Sequence, residues 1–335
     1  MNKTILYISR FACVLALIVI TVGAYTRLSH AGLGCPDWPG CYGQMIVPAE
    51  EDKVLAANEA WPERPLKADK AWIEMAHRYV AGALGLVIMF ICFYAWFRQR
   101  DAYTRWLSTG LLALVIFQAL LGMWTVTLLL KPLVVMSHLL GGMTILCLLY
   151  WLSLRQQGQL QAAARVSVPE MKPWAILGLL VLALQISLGG WTSTNYAALA
   201  CPDFPTCHGV VWPEMNFKEA FILWRGLGID YEGGVLDGPA RTAIHMMHRI
   251  GAIITILVLA TVAIRAIMFQ GGLVKYTGMA ILLVLILQVS LGIANVVMHL
   301  PLYIAVAHNG VAALLLLTLV TLLHQSTPVT KNIIK

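Results

Sequence analysis

The chain has 335 residues, of which only 12% are charged and 59% are hydrophobic, and its mean hydropathy is +0.77. A soluble globular protein carries about 25% charged residues. This composition therefore excludes a soluble globular protein and indicates that most of the surface faces lipid. The net charge of +7 would raise the question of nucleic acid in a soluble chain, but in a membrane protein the distribution of the charge comes first.

Apolar segments long enough to cross a bilayer recur along the whole chain. A spanning helix needs about 20 mostly apolar residues, and the sequence contains eight such runs. The first run could be taken for a signal peptide, but the fifth repeats its pattern deep inside the chain, so we reject that interpretation. We therefore predict an all-α integral membrane protein with eight transmembrane helices. The runs cover residues 11–28, 73–97, 106–129, 135–154, 174–193, 242–264, 276–298 and 302–323.

Charged residues divide the connecting segments into two faces. The two termini and the connections 98–105, 155–173 and 265–275 contain 12 Lys and Arg but only two acids, which is the positive-inside pattern. Both termini are therefore predicted to be cytoplasmic, in a plasma (inner) membrane, and no nucleic-acid partner is expected. The opposite face has two long outer loops, 29–72 and 194–241, with 14 of the 16 acids there or at its boundary. The cytoplasmic basic residues are Lys3, Arg10, Arg98, Arg100, Arg105, Arg155, Arg165, Lys172, Arg265, Lys275, Lys331 and Lys335.

The second half of the sequence repeats the first, with four segments that match segments 166 to 171 residues further on. Each half has an even number of spans, so both halves enter the membrane with the same orientation, as in a parallel repeat. We predict two tandem, pseudo-symmetric four-helix bundles, an N-terminal one over 1–160 and a C-terminal one over 161–335. The matched pairs are CPDWPGC 35–41 with CPDFPTC 201–207, AHRYVAG 76–82 with MHRIGAI 247–253, FQALLG 117–122 with LQVSLG 287–292, and SHLLGG 137–142 with AHNGVA 307–312.

Four glycines occupy equivalent places in the odd-numbered spans, namely Gly23, Gly122, Gly189 and Gly292. A missing side chain lets neighbouring helices approach closely in a membrane. We interpret these glycines as packing positions, where one backbone comes close to another.

Four of the nine histidines form a repeat-related set, His77, His138, His248 and His308, within the first turns of the even-numbered spans near the outer face. An imidazole in hydrocarbon is costly unless it is partnered, so such a residue indicates function by default, although a lone one could be a hydrogen-bonded core residue. Zinc or copper would usually need further Cys, Asp or Glu ligands, whereas haem needs only one or two axial ligands. The sequence therefore predicts two bundles that each hold one haem.

The residues beside these histidines differ between the halves. Arg78 and Arg249 each follow a histidine, and a guanidinium there could pair with haem propionates or with lipid phosphate. Glu74 lies three residues before His77 and on the same helical face, whereas His245 stands at the equivalent place in the second half. A carboxylate beside only one haem predicts chemistry such as proton transfer in the first half, with a solvated boundary glutamate as the alternative. The role of His245 stays open.

Four of the seven cysteines lie in the outer loops, Cys35 and Cys41 in the first and Cys201 and Cys207 in the second. The outer side of a bacterial-type plasma membrane is oxidising, so a disulfide within each loop is expected. No C-x-x-C-H motif is present, which argues against covalent haem attachment. The disulfides could be structural staples or could exchange electrons with thioredoxin-like partners, and the sequence leaves both open.

Taken together, these features resemble the haem A synthase family, whose members oxidise a methyl group of haem O to the formyl group of haem A. The resemblance covers essentially the whole chain and rests on the spans, the repeat, the four histidines, Glu74, the two arginines and both Cys-x5-Cys loops. It implies that the N-terminal bundle takes haem O near His77 and His138, with Glu74 needed for turnover. It also implies that the C-terminal bundle holds a haem b cofactor between His248 and His308. Successive hydroxylations would convert the methyl group to an alcohol and then to a hydrate, which loses water to give the aldehyde.

Two other function classes compete with this interpretation. A membrane bis-histidine cytochrome that only relays electrons would need the same four histidines but not Glu74. A transporter or haem chaperone is suggested by the tandem repeat, although the spans lack the paired Gly/Pro-broken helices of a midplane site. Besides the lipid bilayer, the pathway implied by the resemblance suggests a haem O-producing farnesyltransferase and oxidase assembly factors as partners. A homo-oligomer of this chain is a separate candidate.

Overall fold

The computed structural model describes residues 3–160, 167–269 and 272–327, and this part of the chain is predominantly helical. Eight of its helices are long and apolar enough to cross a membrane, which confirms the predicted all-α membrane fold. A short 3-10 turn, Pro169–Met171, precedes the sixth helix. In chain order the helices are α1 (Lys3–Leu28), α2 (Glu51–Ala60), α3 (Ala68–Arg98), α4 (Ala102–Thr127), α5 (Pro132–Leu160), α6 (Lys172–Thr194), α7 (Phe217–Ala220), α8 (Gly238–Met268), α9 (Gly272–Val297) and α10 (Leu302–Gln325).

Most of the membrane helices extend beyond the predicted apolar runs, because backbone hydrogen bonding continues into polar residues that hydropathy leaves out. At the outer face α3 begins at Ala68 and α8 at Gly238, four to five residues earlier than predicted. His77 and His248 therefore lie in the third helical turn rather than in the first two. The Asp237 side chain caps α8 by accepting a hydrogen bond in its first turn. The structure also shows two short helices, α2 and α7, within the predicted outer loops.

Helices of the same half pack around one another. In the first half α1 and α4 each contact both α3 and α5, and in the second half α6 and α9 each contact both α8 and α10. Across the halves, α1 contacts α10, and α5 contacts α6 and α10. One apolar core, in which Leu146, Leu149, Leu259 and Leu319 are fully buried, takes side chains from both halves. The division into bundles at 1–160 and 161–335 stays a prediction.

The outward faces of the helices are apolar. Phe97, Leu184 and Leu257 expose 81%, 67% and 64% of their surface, although each lies within a candidate membrane span. Continuous apolar surface of this kind fits contact with lipid. Three basic residues of the predicted cytoplasmic pattern, Arg165, Lys331 and Lys335, lie outside the described residues, and the orientation of the chain in the membrane stays a prediction.

The outer loops contain both expected disulfides. Cys35 is bonded to Cys41 and Cys201 to Cys207, which confirms the pairing. The loops are alike in further detail, since each has a cis X-Pro peptide between its cysteines. In each loop the second cysteine also forms an isolated antiparallel bridge with the residue three positions on.

Several contacts tie the outer ends of the two halves together. Arg64 of the first outer loop forms salt bridges with Asp230 at 2.6 Å and Glu232 at 3.4 Å in the second. The guanidinium of Arg27, at the end of α1, lies 4.3 Å from the ring centre of Tyr196. These contacts join the two outer loops to each other and bring the end of α1 next to the residues that follow α6.

Candidate functional site

His77 on α3 and His138 on α5 are neighbours, with ring centres 6.4 Å apart and ring planes at 83°. Metal–nitrogen bonds of about 2 Å on opposite sides of one metal would place two imidazole centres roughly 6 Å apart. In both rings Nδ1 is buried without a hydrogen-bond partner among the described residues. A buried unpaired nitrogen is unfavourable unless a ligand or rotation satisfies it, so this pair suits metal ligation.

His248 on α8 and His308 on α10 form the equivalent pair and lie close enough to interact electrostatically. Nδ1 of His308 is likewise buried and unpartnered in the described part of the chain. Within residues 3–160, 167–269 and 272–327, no group of three or more His, Cys, Asp or Glu side chains could hold a metal ion. Two imidazoles per half therefore fit a metal that arrives with its own equatorial ligands, as haem iron does.

Each of the four histidines lies against one of the four repeat-related glycines. The glycines thus make room for an imidazole. The prediction that one backbone approaches another at these glycines is wrong, because a histidine ring lies there instead. The four glycines differ in how well they would tolerate a side chain, because the histidine rings lie at different distances from them. A Cβ added to Gly23, Gly189, Gly292 or Gly122 would lie 2.8, 3.1, 3.2 or 3.5 Å from Cε1 of His77, His248, His308 or His138, respectively.

Glu74 is buried directly beneath the first disulfide loop and exposes only 5% of its surface. Its Oε2 accepts a hydrogen bond from the backbone N–H of Cys35 at 2.9 Å, and its Oε1 accepts one from the Arg78 guanidinium at 2.6 Å. Burial with two charge-stabilising donors is inconsistent with a solvated boundary glutamate. The carboxylate of Glu74 is therefore fixed in position by hydrogen bonds, one helical turn from His77.

His245 occupies the corresponding place in the second half, where it is also buried. The backbone N–H of Cys201 donates to its Nδ1 at 3.3 Å, just as Cys35 donates to Glu74. Both side chains thus accept a hydrogen bond from the first cysteine of their loop. Only Glu74 can bring a negative charge to this position, so the halves share a structural contact but differ in electrostatics.

Arg78 and Arg249 both point into the disulfide loops rather than outward to lipid. Arg78 donates to the backbone carbonyl of Asp37 at 2.9 Å and to that of Gly40. Arg249 donates to the carbonyls of Asp203 at 2.7 Å and Thr206 at 2.8 Å. Nε of Arg249 is buried without a partner among the described residues and keeps one donor for an anion. The binding of haem propionates by these arginines stays a prediction.

Asp203 closes the second disulfide loop through its carboxylate. It accepts hydrogen bonds from the Thr206 hydroxyl and from the backbone N–H groups of His208 and Gly209, and these bonds lower the pKa of Asp203 to about 2. Asp37 accepts the equivalent backbone bonds in the first loop. The Pro-Asp of both Cys-x5-Cys motifs therefore has a structural role, which the sequence analysis did not identify.

Three glutamines that the sequence analysis passed over contact the histidine positions. Each stands four residues before a histidine-contacting glycine, so the two residues share one helical face. Gln118 and Gln288 were visible in the matched FQALLG and LQVSLG segments, and LQISLG at 184–189 adds Gln185. Gln118 donates from Nε2 to the His138 carbonyl at 2.6 Å, Gln185 donates to the His248 carbonyl at 3.0 Å, and Gln288 Nε2 lies 3.3 Å from His308 Nε2.

Comparison with known proteins gives matches over nearly the whole chain. A family model described as COX15-CtaA, cytochrome oxidase assembly protein, matches residues 7–320. A heme A synthase of Shewanella oneidensis is 50% identical over 316 residues, which cover 94% of each chain. Heme A synthases of Rhizorhabdus wittichii and Methylorubrum extorquens are each 27% identical, over 91% and 94% of this chain and 89% and 85% of theirs.

Proposed function

This chain belongs to the COX15-CtaA family of cytochrome oxidase assembly proteins, and we propose that it is a membrane oxidoreductase that converts haem O to haem A. The reaction would oxidise one methyl group of haem O to a formyl group by successive hydroxylation. The 50% identity to the heme A synthase of S. oneidensis supports this activity. The structural observation that supports this activity is the position of Glu74, which is buried beside the histidine pair of the first half.

We propose that the histidine pairs hold two haems with different roles. His77 and His138 would hold the substrate haem O, and His248 and His308 would hold a haem b. Bound iron supplies the redox chemistry, and a bis-histidine haem suits electron transfer. The protein would supply imidazoles on facing helices, and the apolar helix surfaces around them would exclude water from a bound haem.

Glu74 is well placed for proton transfer at the histidine pair of the first half. The two carboxylate oxygens can together accept about four hydrogen bonds, and the protein supplies donors from Cys35, Arg78 and the backbone N–H of Gly34. One acceptor position is therefore left for a hydroxyl group of the substrate. Oxidation of a methyl to a formyl group and loss of water from the hydrate both require proton movement, and a fixed carboxylate at this place can accept or return a proton.

The test is production of haem A in a host that makes haem O but no haem A. Pigment extraction from membranes with the wild-type protein should yield haem A and its alcohol intermediate. Glu74→Gln keeps the shape of the side chain and should reduce the combined product at least about 100-fold, the lower end of general acid–base contributions, with the haem content of the protein unchanged. The matched control is His245→Gln in the second half, which should retain most of the product.

The outcomes separate the competing functions. A folded, haem-loaded wild-type protein that yields neither hydroxylated nor formylated haem would contradict the proposal. If Glu74→Gln gives as much product as the wild type, Glu74 does not take part in the reaction. Bound haem with no product from any variant would favour the electron relay.

We also propose a plasma (inner) membrane location with both termini in the cytoplasm, from the basic residues of the connections between spans. The disulfide loops and the four histidines would then lie near the outer face. A haem O-producing farnesyltransferase would be a natural neighbour, because its product is the proposed substrate.

A further inference from the structure

Each disulfide loop presents two neighbouring apolar side chains at a tip that lies four and five residues after the second cysteine of the motif. Met45 and Ile46, the first tip, expose 65% and 63% of their surface, and Val211 and Trp212, the second tip, expose 80% and 66%. The two tips are related by the same offset of 166 residues that relates the Cys-x5-Cys motifs. Adjoining large apolar side chains on an outer surface mark a site of interaction.

Both tips are fixed in place by the loops that carry them. In each loop the isolated antiparallel bridge from the second cysteine closes just before the tip. The residue just after the tip, Val47 or Pro213, is buried. The backbone is therefore held on both sides of the tip, and its two side chains stay outside the protein core.

The helix α3 gives the depth of the first tip. The hydroxyl of Tyr79 donates a hydrogen bond to the backbone carbonyl of Met45. Tyr79 is also the first of the 19 uncharged residues between Arg78 and Arg98. A helix of 19 residues is about 28 Å long, close to the hydrocarbon thickness of about 30 Å, and tyrosine is typical of the boundary between hydrocarbon and headgroups. The first tip thus lies at the edge of the hydrocarbon layer.

The first tip is continuous with the surface of α3 that faces lipid. Tyr79, Leu86 and Phe93 follow one another at intervals of seven residues, so they share one face of the helix. All three are exposed and lie within a candidate membrane span. Since Met45 is bonded to the first of them, the tip extends an apolar face that already contacts the bilayer.

The second tip is attached to α8 at the corresponding level. Arg249 binds carbonyls of the second loop and directly precedes the uncharged residues 250–264, just as Arg78 precedes Tyr79. Equivalent residues of a parallel repeat lie at the same depth, so one bilayer would meet both tips. Trp212 at this level also fits the membrane boundary, where tryptophan is enriched.

We propose that both tips insert into the leaflet on the side of the disulfide loops and anchor these loops to the membrane surface. The contact would be apolar, with the four tip side chains among the upper parts of the acyl chains, because neither tip carries a charge. Glu50, Glu51 and Asp52 shortly follow the first tip and would be repelled by anionic headgroups. The tips therefore fit zwitterionic lipid, and the proposal is independent of the haem chemistry.

The test measures the surroundings of a nitroxide label on the full chain in phosphatidylcholine vesicles. The label is attached to Ile46→Cys or Val211→Cys, and electron paramagnetic resonance compares its collisions with oxygen, which concentrates in lipid, and with a nickel chelate, which stays in water. Both labels should favour oxygen. The matched control is Glu51→Cys, an exposed position of the first loop, where the label should favour the chelate. The free cysteines replaced by alanine beforehand are Cys13, Cys92 and Cys147.

A second measurement needs no added cysteine and keeps the proposal testable if a labelled variant fails to fold. The difference in fluorescence between the wild type and Trp212→Phe isolates the emission of Trp212. Lipids brominated near the headgroup end of their acyl chains should quench this emission, and iodide in the water should not. Peptide mapping without reductant shows that the labelled variants keep the native disulfides.

Three results would overturn the proposal. The first is access of the nickel chelate to the labels at 46 and 211 equal to its access at 51, and the second is quenching of Trp212 by iodide but not by brominated lipid. The third is shielding of both labels from oxygen as well as from the chelate, which would show that protein rather than lipid covers the tips. Because the vesicles need no substrate, failure of the proposed haem A synthesis would not change any of these readings.

Discussion

The contact between Gly23 and His77 allows a quantitative prediction for the substitution Gly23→Ala. The added methyl group would lie 2.8 Å from Cε1 of His77, about 0.6 Å inside the 3.4 Å at which ordinary van der Waals contact begins. The matched substitution Gly122→Ala touches the other imidazole of the same pair, where the distance is 3.5 Å and nothing has to move. The two variants therefore add the same methyl group on either side of one site, with and without a clash.

The clash should affect haem ligation more than folding. Overpacking costs about 1–3 kcal/mol when the surroundings must yield, but the atom in contact is the far end of a side chain that can rotate. A catalytic or ligating group must be held to within about 0.5 Å of its working position, and the required displacement reaches that limit. Since a misplacement of about 1 Å can cost on the order of 100-fold in rate, we expect Gly23→Ala to lower haem A production about 10- to 100-fold.

The assay is haem A extracted per unit of protein, together with the absorption spectrum of the first-half haem and the temperature of unfolding. Gly122→Ala should retain production within about 2-fold, because alanine is also the better helix former by about 1 kcal/mol. Equal losses in the two variants, or a larger loss in Gly122→Ala, would refute the argument from contact distances. A large fall in the unfolding temperature of Gly23→Ala alone would show that the helix, rather than the imidazole, had moved.

Two further predictions concern the outer loops. The pKa of Asp203, at about 2, is below the ordinary 3.8, so its carboxylate stabilises the second loop above about pH 4, and this contribution is lost as the pH falls towards 2. Limited proteolysis of the loop should rise over that interval, and Asp203→Asn should be equally susceptible on both sides of it. Replacing Cys35 and Cys41 by serine opens a loop with a sequence separation of 6 and should cost about 2 kcal/mol in unfolding free energy. Because the Cys35 N–H holds Glu74, haem A production should fall even where thermal unfolding shows the variant to be folded.

The fold was largely predictable because lipid imposes simple requirements on the sequence. Every spanning segment must be long, apolar and internally hydrogen-bonded. The eight apolar runs of the sequence were therefore enough to locate α1, α3 to α6 and α8 to α10. The ends of the helices were less accurate, since α3 and α8 continue through polar residues under the outer loops. The short helices α2 and α7 have too few residues to show a clear period.

The site was predictable where the repeat exposed it and unpredictable where contacts are distant in sequence. The four histidines and Glu74 could be selected because each has a counterpart half a chain away. The hydrogen bond between the Cys35 N–H and Glu74 joins residues 39 positions apart, and no local pattern marks it. Gln185 had a visible signal in LQISLG, but the duplicated glycine drew attention to backbone packing instead of to the imidazole beside it.

Departures from the repeat are more informative than the repeat itself. Features present in both halves are explained by contacts that the halves share, since a glycine makes room for each histidine and an arginine binds backbone carbonyls inside each loop. The difference between Glu74 and His245 needs another cause. It adds a buried carboxylate one helical turn from His77, where the second half has an imidazole. A site that only relays electrons gains nothing from a buried acid, whereas a site that must move a proton requires one.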